Sequence, residues 1–285
     1  MSSVLRFLVM GNPIAHSKSP SIHRDFAAQL GLDLQYERLL APLNAFEPTV
    51  RAVRAAGVCG ANVTVPFKRD AFVLADACSD AARFAQAANT LVFNASGIYA
   101  DNTDGGGLCR DLNRLLGLQG LLLRDCCVLM VGAGGAASGC VSAFKQQGVK
   151  HLTILNRTVA TAQVLAQRAH AHGLPCSAGG LDALPVEPNQ GPLVIVNASA
   201  SSLNGVVPNV DAAWFADAVL AYDMMYAAHD TPFVSHVRAR SQPRLHVSDG
   251  LGMLVFQAEL AFELWTGQKP DGLKTLQRMR TQLLA

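Results

Sequence analysis

Lys68 closes the segment Gly60-Ala61-Asn62-Val63-Thr64-Val65-Pro66-Phe67-Lys68, which sets an amide, a hydroxyl and an ammonium directly behind a strand-like apolar stretch. Open α/β sheets bind ligands at the carboxyl ends of their strands, so Lys68 is the foremost candidate for acid/base chemistry. A lone lysine is ordinarily a solvated surface group, and only its companions argue otherwise. One companion is the loop Gly11-Asn12-Pro13-Ile14-Ala15-His16-Ser17-Lys18-Ser19-Pro20, in which Pro20 reads as the first helical residue and Ser19 as its N-cap. A helix N-terminus of that kind can receive a carboxylate, and Ser17 has no evident structural duty.

A second constellation is Val131-Gly132-Ala133-Gly134-Gly135-Ala136-Ala137, a G-x-G-x-x-A pattern that follows an apolar strand and opens a helix. Gly132 permits the tight turn, Gly134 lets the backbone approach a pyrophosphate, and the free N–H groups of the helix face that anion. After the next strand, where an NAD enzyme offers a carboxylate to the ribose, the chain has Asn156-Arg157-Thr158. Arg157 can meet a 2′-phosphate with a planar, permanently charged fork, which favours NADP. His16 lies next to the serine loop, and the pair His170 and His172 has no third ligand at suitable spacing, so no metal is expected.

The elements that must position these groups alternate along the chain. Strand patterns at Arg6–Met10, Gln35–Leu40 and Cys59–Val63 are separated by helix patterns at Pro20–Leu30 and Phe46–Ala56. Asn94-Ala95-Ser96-Gly97 reads as a hairpin turn between Thr90–Phe93 and Ile98–Ala100. A helix with Leu108, Leu112, Leu115 and Leu116 on one face follows, with Thr103 or Asp104 suited to cap it. Then come strand Cys126–Val131, helix Ala136–Gln147, strand His151–Leu155 and helix Val159–His172. Further strands fall at Pro192–Val196, Val219–Asp223 and Arg244–Val247, and final helices at Leu251–Trp265 and Leu273–Leu284. The alternation predicts open, largely parallel sheets covered by helices.

With 285 residues, half of them hydrophobic, 15% charged and 24 glycines, the chain suits two α/β lobes and excludes disorder. A net charge of +2 without a basic block argues against nucleic acid. The uncharged run from Cys126 to Phe144 is interrupted by glycines and serines and belongs to the dinucleotide loop, so no membrane span is expected. Met1–Met10 reads as a first strand rather than a signal peptide. The seven cysteines show no C-x-x-C spacing and read as reduced thiols of a cytoplasmic protein.

In order along the chain, the S-K-S loop, Ala61–Lys68, Asn89-Thr90, Asp101-Asn102-Thr103-Asp104-Gly105, Gly132–Ala136, Asn156-Arg157-Thr158, Tyr222-Asp223-Met224-Met225-Tyr226 and Asp249-Gly250-Leu251-Gly252 resemble the shikimate dehydrogenase family. The resemblance implies NADP-dependent, reversible reduction of 3-dehydroshikimate to shikimate in aromatic amino acid biosynthesis. It implies that Lys68 and Asp104 are the catalytic pair. It also implies that Ser17, Ser19 and Tyr226 hold the substrate carboxylate while Thr64, Asn89, Asp104 and Gln257 contact ring hydroxyls. Gly132, Ala133, Gly134, Gly135, Ala136, Asn156, Arg157 and Thr158 would bind the cofactor, with Met224 and Gly250 at its nicotinamide end.

The expected architecture is a discontinuous α/β substrate domain, residues 1–103 and 250–285, and a Rossmann-type NADP-binding domain, residues 104–249, closing on each other to exclude water. A monomer or homodimer is expected, with a small-molecule substrate and no membrane or nucleic-acid partner. The chain departs from the family where arginines are common, at Ser138 and Thr161, and along Asn197-Ala198-Ser199-Ala200-Ser201-Ser202-Leu203. Those departures leave open a quinate/shikimate dehydrogenase that uses NAD. Fold alone also leaves open a non-catalytic sensor of nucleotide and cyclic acid.

Overall fold

Strand β1 (Leu5–Gly11) is apolar almost throughout because both of its faces are covered. Successive side chains of a strand point to opposite faces, so Leu8 and Met10 enter one buried cluster with Phe46, Val50, Val63, Phe67, Leu91 and Ile98, whereas Phe7 and Val9 enter another with Ile14 and Tyr36. The computed structural model describes residues 4–182, 191–201, 205–208, 213–240 and 244–284. Its chain divides into two compact units, Met1–Gly107 with Val255–Thr281, and Leu108–Leu254 with Gln282–Ala285.

The first unit continues with α1 (Ser19–Leu30), β2 (Leu34–Leu40), α2 (Phe46–Ala55), β3 (Gly60–Val63), α3 (Lys68–Leu74), β4 (Ala77–Cys78), α4 (Asp80–Ala85), β5 (Thr90–Asn94) and β6 (Gly97–Asp101). Its six-stranded sheet has the order β2-β1-β3-β5-β6-β4. The pairs β1/β2, β1/β3 and β4/β6 are parallel, while β3/β5 and β5/β6 are antiparallel. The sheet is therefore mixed, and part of the cause is local. Asn94 pairs with Gly97 across a two-residue turn, and Gly97 takes φ +139°, a value that side chains rarely adopt.

Helix α5 (Asp104–Gly117) begins in the first unit and ends in the second. There follow β7 (Cys127–Val131), α6 (Gly135–Gln146), β8 (His151–Leu155), α7 (Val159–Ala171), β9 (Cys176–Gly179), β10 (Leu193–Asn197), α8 (Ala213–Ala216), β11 (Ala218–Asp223), α9 (Pro232–Arg238) and β12 (His246–Ser248). The second sheet has the order β12-β11-β10-β7-β8-β9 with every pairing parallel. Chain order reverses between β7 and β10, the switch point at which doubly wound sheets open a crevice beyond their carboxyl ends. Leu129, Val131, Ile195 and Ala221 pack there against Trp214, Phe215, Phe233 and Val237.

Helix α10 (Leu251–Thr266) starts in the second unit, and α11 (Gly272–Leu284) follows it. Within the first unit, Trp265 stacks on Phe7 with ring centroids 4.5 Å apart and donates to the Leu91 carbonyl at 3.0 Å. Thr275 and Arg278 of α11 bond to Asp25 of α1. No helix among the described residues is long and apolar enough to cross a membrane.

Candidate active site

The first unit gathers Ser17, Ser19, Thr64, Lys68, Asn89, Asp104 and Gln257. Lys68 is the first residue of α3, and its Nζ lies 2.5 Å from Asp104 Oδ2. Both side chains keep some exposure, 30% and 16%, so the pair faces solvent-accessible space while resting on buried groups. Asp104 Oδ1 accepts from Asn89 Nδ2 at 2.8 Å, and Asn89 also reaches Gln257 Oε1 at 3.1 Å. Asp104 opens α5, and its own N–H is taken up by Asn102 Oδ1 at 3.2 Å. The capping duty expected of Thr103 or Asp104 thus falls to Asn102, since the Thr103 N–H and hydroxyl both turn toward Asn89 Oδ1.

At the serine loop the helix starts one residue earlier than its sequence signals. Lys18 occupies the N-cap and Ser19 is the first helical residue, buried. Ser17 Oγ accepts the Ser19 N–H at 3.3 Å, and Arg38 donates to the Ser17 carbonyl through Nε and Nη2 at 2.9 and 2.6 Å. Pro20 supplies a fixed φ but no N–H, so the turn before it is held by Ser17 and Arg38. This loop meets the Thr64 loop closely. Asn12 N–H donates to the Val65 carbonyl at 3.1 Å, and a Cβ on Gly11 would stand 2.5 Å from Thr64 Cγ2. Glycine at position 11 is what lets the two loops share one sheet edge.

Behind these groups lie His23 and Tyr36, which sequence reasoning does not single out, and Asn62 and Thr90, which it names only as members of longer segments. Asn62 Oδ1 faces Tyr36 OH at 2.6 Å and His23 Nε2 at 3.1 Å, and Asn62 Nδ2 faces Thr90 Oγ1 at 3.1 Å. His23 is fully buried and stacks on Tyr36, ring centroids 4.3 Å apart. Burial pushes its imidazole down to about 3, against a partial opposing effect of the Asn62 bond, so the ring is neutral. The available signal was polar residues within otherwise buried strands, His23 on the apolar face of α1 and Asn62 within β3.

The second unit carries Gly132, Ala133, Gly134, Gly135, Ala136, Asn156, Arg157, Thr158, Met224, Tyr226 and Gly250. Gly132 has φ +111°, and a Cβ there would press on the Ala198 and Ser199 backbone at 3.0–3.1 Å. Gly134 is the extended N-cap of α6 without a side-chain cap, and no atom stands within 4 Å of where a Cβ on Gly134 or Gly135 would be. Bare helix N–H groups beside open space fit a dinucleotide pyrophosphate. At the end of β8, Asn156 Nδ2 donates to the Thr158 carbonyl at 3.0 Å and Arg157 is exposed. Ser138, where the family commonly has arginine, is buried with no partner on its hydroxyl, and Ser202 and Leu203 lie outside the described residues.

The segment bearing Met224 and Tyr226 is organised by the buried Asp223. Its Oδ1 accepts from Asn197 Nδ2 at 3.0 Å and from the Met225 N–H at 3.1 Å, and its Oδ2 accepts from Thr231 Oγ1 at 2.6 Å. Gly250 N–H donates to the Met225 carbonyl at 2.9 Å, and a Cβ on Gly250 would collide with the Met224 carbonyl. Partial burial, aided by the Asp249 charge, raises the Tyr226 phenol and keeps it a protonated donor.

Family models match three stretches of the chain. A shikimate dehydrogenase substrate binding domain matches residues 9–91, a shikimate/quinate 5-dehydrogenase model residues 118–203, and a shikimate 5′-dehydrogenase C-terminal domain residues 250–284. The shikimate dehydrogenase (NADP(+)) of Aromatoleum aromaticum is 45% identical over 280 residues, 98% of each chain. Among solved structures, an Ael1 enzyme from Pseudomonas putida superposes with TM-score 0.88 at 38% identity, over 99% of this chain and 98% of that one. Shikimate 5-dehydrogenase of Thermus thermophilus, in complex with NADP(H) and shikimate, superposes with TM-score 0.81 at 31% identity, over 99% of this chain and all of that one.

Proposed function

The chain belongs to the shikimate dehydrogenase family, and from that premise we propose that it is an NADP-dependent oxidoreductase interconverting 3-dehydroshikimate and shikimate, with Lys68 and Asp104 as its catalytic pair. The observation that carries this assignment is the 2.5 Å contact of Lys68 with Asp104, whose second oxygen is held by Asn89. In the direction of reduction a nicotinamide cofactor, held through Gly132–Ala136 and Arg157, would supply hydride to the ring carbonyl carbon. The carbonyl oxygen, as its charge grows, needs a proton, and the Lys68 ammonium is the donor. Asp104 and Asn89 hold Lys68 and the neighbouring ring hydroxyls in register, so a ring lacking a hydroxyl leaves buried polar groups unpaired.

We assign carboxylate binding to Ser17, Ser19 and Tyr226, and the remaining hydroxyl contacts to Thr64 and Gln257. The substrate-binding domain is taken as residues 1–103 and 250–285, and the NADP-binding domain as 104–249. Gly132, Ala133, Gly134, Gly135 and Ala136 would hold the pyrophosphate, Asn156, Arg157 and Thr158 the 2′-phosphate, and Met224 and Gly250 the nicotinamide end. The NAD-using and non-catalytic alternatives are not favoured, because the matched relative is named an NADP(+) enzyme. A reducing cytoplasm is the proposed location, supported by seven cysteines of which none forms a disulfide among the described residues. Lys68→Ala tests the catalytic assignment. It should lower kcat by roughly 100-fold or more while NADP binding, followed by fluorescence titration, stays within about twofold. Retained turnover would refute it.

A further inference from the structure

Lys68 and Asp104 rest on buried polar groups whose donors and acceptors can be ordered. The main-chain carbonyl of Asn89 can only accept, so the Asn62 atom 3.2 Å from it is the amide Nδ2, which also donates to Thr90 Oγ1 at 3.1 Å. Asn62 Oδ1 is then turned toward Tyr36 and His23, and both must donate to it. That requirement makes His23 the Nε2–H tautomer, and its Nδ1 has no partner.

The consequence travels outward. Thr90 Oγ1 already accepts from Asn62 and has its own proton left to give, and Asn89 Oδ1 stands 3.0 Å away. The Thr103 N–H donates to the same Asn89 oxygen at 2.8 Å. With Oδ1 facing these two donors and the Thr103 hydroxyl at 3.2 Å, Asn89 presents Nδ2 to Asp104 Oδ1 at 2.8 Å, which leaves Oδ2 for Lys68. An Asn89 amide turned over would set its carbonyl oxygen against the Asp104 carboxylate. His23, Tyr36, Asn62, Asn89 and Thr90 are all buried, so water does not readily replace a lost partner.

We propose that Thr90 is a positioning residue for the catalytic pair: its hydroxyl, oriented by Asn62, helps pin the Asn89 amide so that N–H rather than C=O faces Asp104. Thr90 is fully buried and its hydroxyl bonds to Asn62 and Asn89 rather than to Lys68 or Asp104, so it acts through Asn89. This role rests on the reading of Lys68 and Asp104 as the catalytic pair.

The test compares wild type, Thr90→Val, which keeps shape and loses the hydroxyl, and Thr90→Ser, which keeps the hydroxyl and loses a methyl. Steady-state rates are measured with shikimate and NADP, beside Lys68→Ala as the control for the catalytic assignment. Loss of one donor from a buried network predicts a kcat roughly 5- to 20-fold lower in Thr90→Val, with the KM for NADP unchanged. Thr90→Ser should stay within about twofold of wild type. Equal losses in both variants would mean packing alone and overturn the proposal, as would a Thr90→Val enzyme with wild-type kcat. Should Thr90→Val fail to give a folded circular dichroism spectrum, Thr90→Ala replaces it in the same comparison. A Lys68→Ala enzyme that still turns over would strike the catalytic assignment instead.

Discussion

Replacing His23 by glutamine should flatten the acid side of the stability profile. His23 is fully buried and its imidazole lies at about 3, against an ordinary value of 6.5, with burial as the main cause. Between those values the unfolded chain binds a proton that the folded chain refuses. Stability is therefore fully present above pH 6.5 and is progressively lost as pH falls toward 3. From pH 7 to pH 5 this one group costs about 2 kcal/mol, integrating the two titrations. Glutamine keeps an amide donor near Asn62 and does not titrate, although it gives up the stacking on Tyr36. Urea unfolding followed by Trp265 emission suits the question, because that ring lies 5.3 Å from His23. A Trp214→Phe background removes the signal of the second tryptophan. His23→Gln should start less stable at pH 7 yet lose about 2 kcal/mol less on going to pH 5. Parallel losses in the two proteins would refute a neutral, proton-refusing His23.

Other outcomes are equally specific. Arg157→Ala should raise the KM for NADP by roughly 10- to 100-fold and barely change that for NAD, the span expected for a charge-assisted contact to phosphate; steady-state kinetics with both cofactors decides. Thr161→Arg should shift the ratio further toward NADP in the same assay. Gly252→Ala would drive a methyl into the carboxylate of Asp111, which is buried and accepts from Tyr222 OH at 2.8 Å. Overpacking of that kind costs about 1–3 kcal/mol, so its melting temperature should fall by several degrees in calorimetry.

Much of the fold was legible because long, strongly patterned elements announce themselves. The strand at His151–Leu155 has the bounds that its apolar run predicts, and helix α6 follows Gly134 as the fingerprint requires. Short elements were not legible. Helix α3, seven residues beginning at Lys68, spans less than two full turns and gives periodicity little to show, and β9 is an edge strand of small residues, Cys176-Ser177-Ala178-Gly179. The mixed character of the first sheet was half visible. The hairpin at Asn94–Gly97 was plain, but its effect on the pairing of β5 with β3 depends on contacts distant in sequence.

For the site, residue types with an obvious chemistry stood out, Lys68 and Arg157 among them. Asp104 is different. From local pattern it is a capping residue, and only the family resemblance gives it a catalytic part. The joining of His23, Tyr36, Asn62 and Thr90 into one supporting layer was hidden for a physical reason. Each residue alone resembles an ordinary core or strand position, and its significance lies in which donor meets which acceptor once the strands are paired.

The most direct test of the central claim is nicotinamide absorbance recorded with purified protein, offering shikimate and quinate separately with NADP and with NAD. Rapid turnover with shikimate and NADP, and little with the other pairings, is the predicted result. Comparable rates with quinate or NAD would contradict the specificity argued from Arg157 and the hydroxyl-binding residues, and silence in every pairing would contradict the enzymatic function itself.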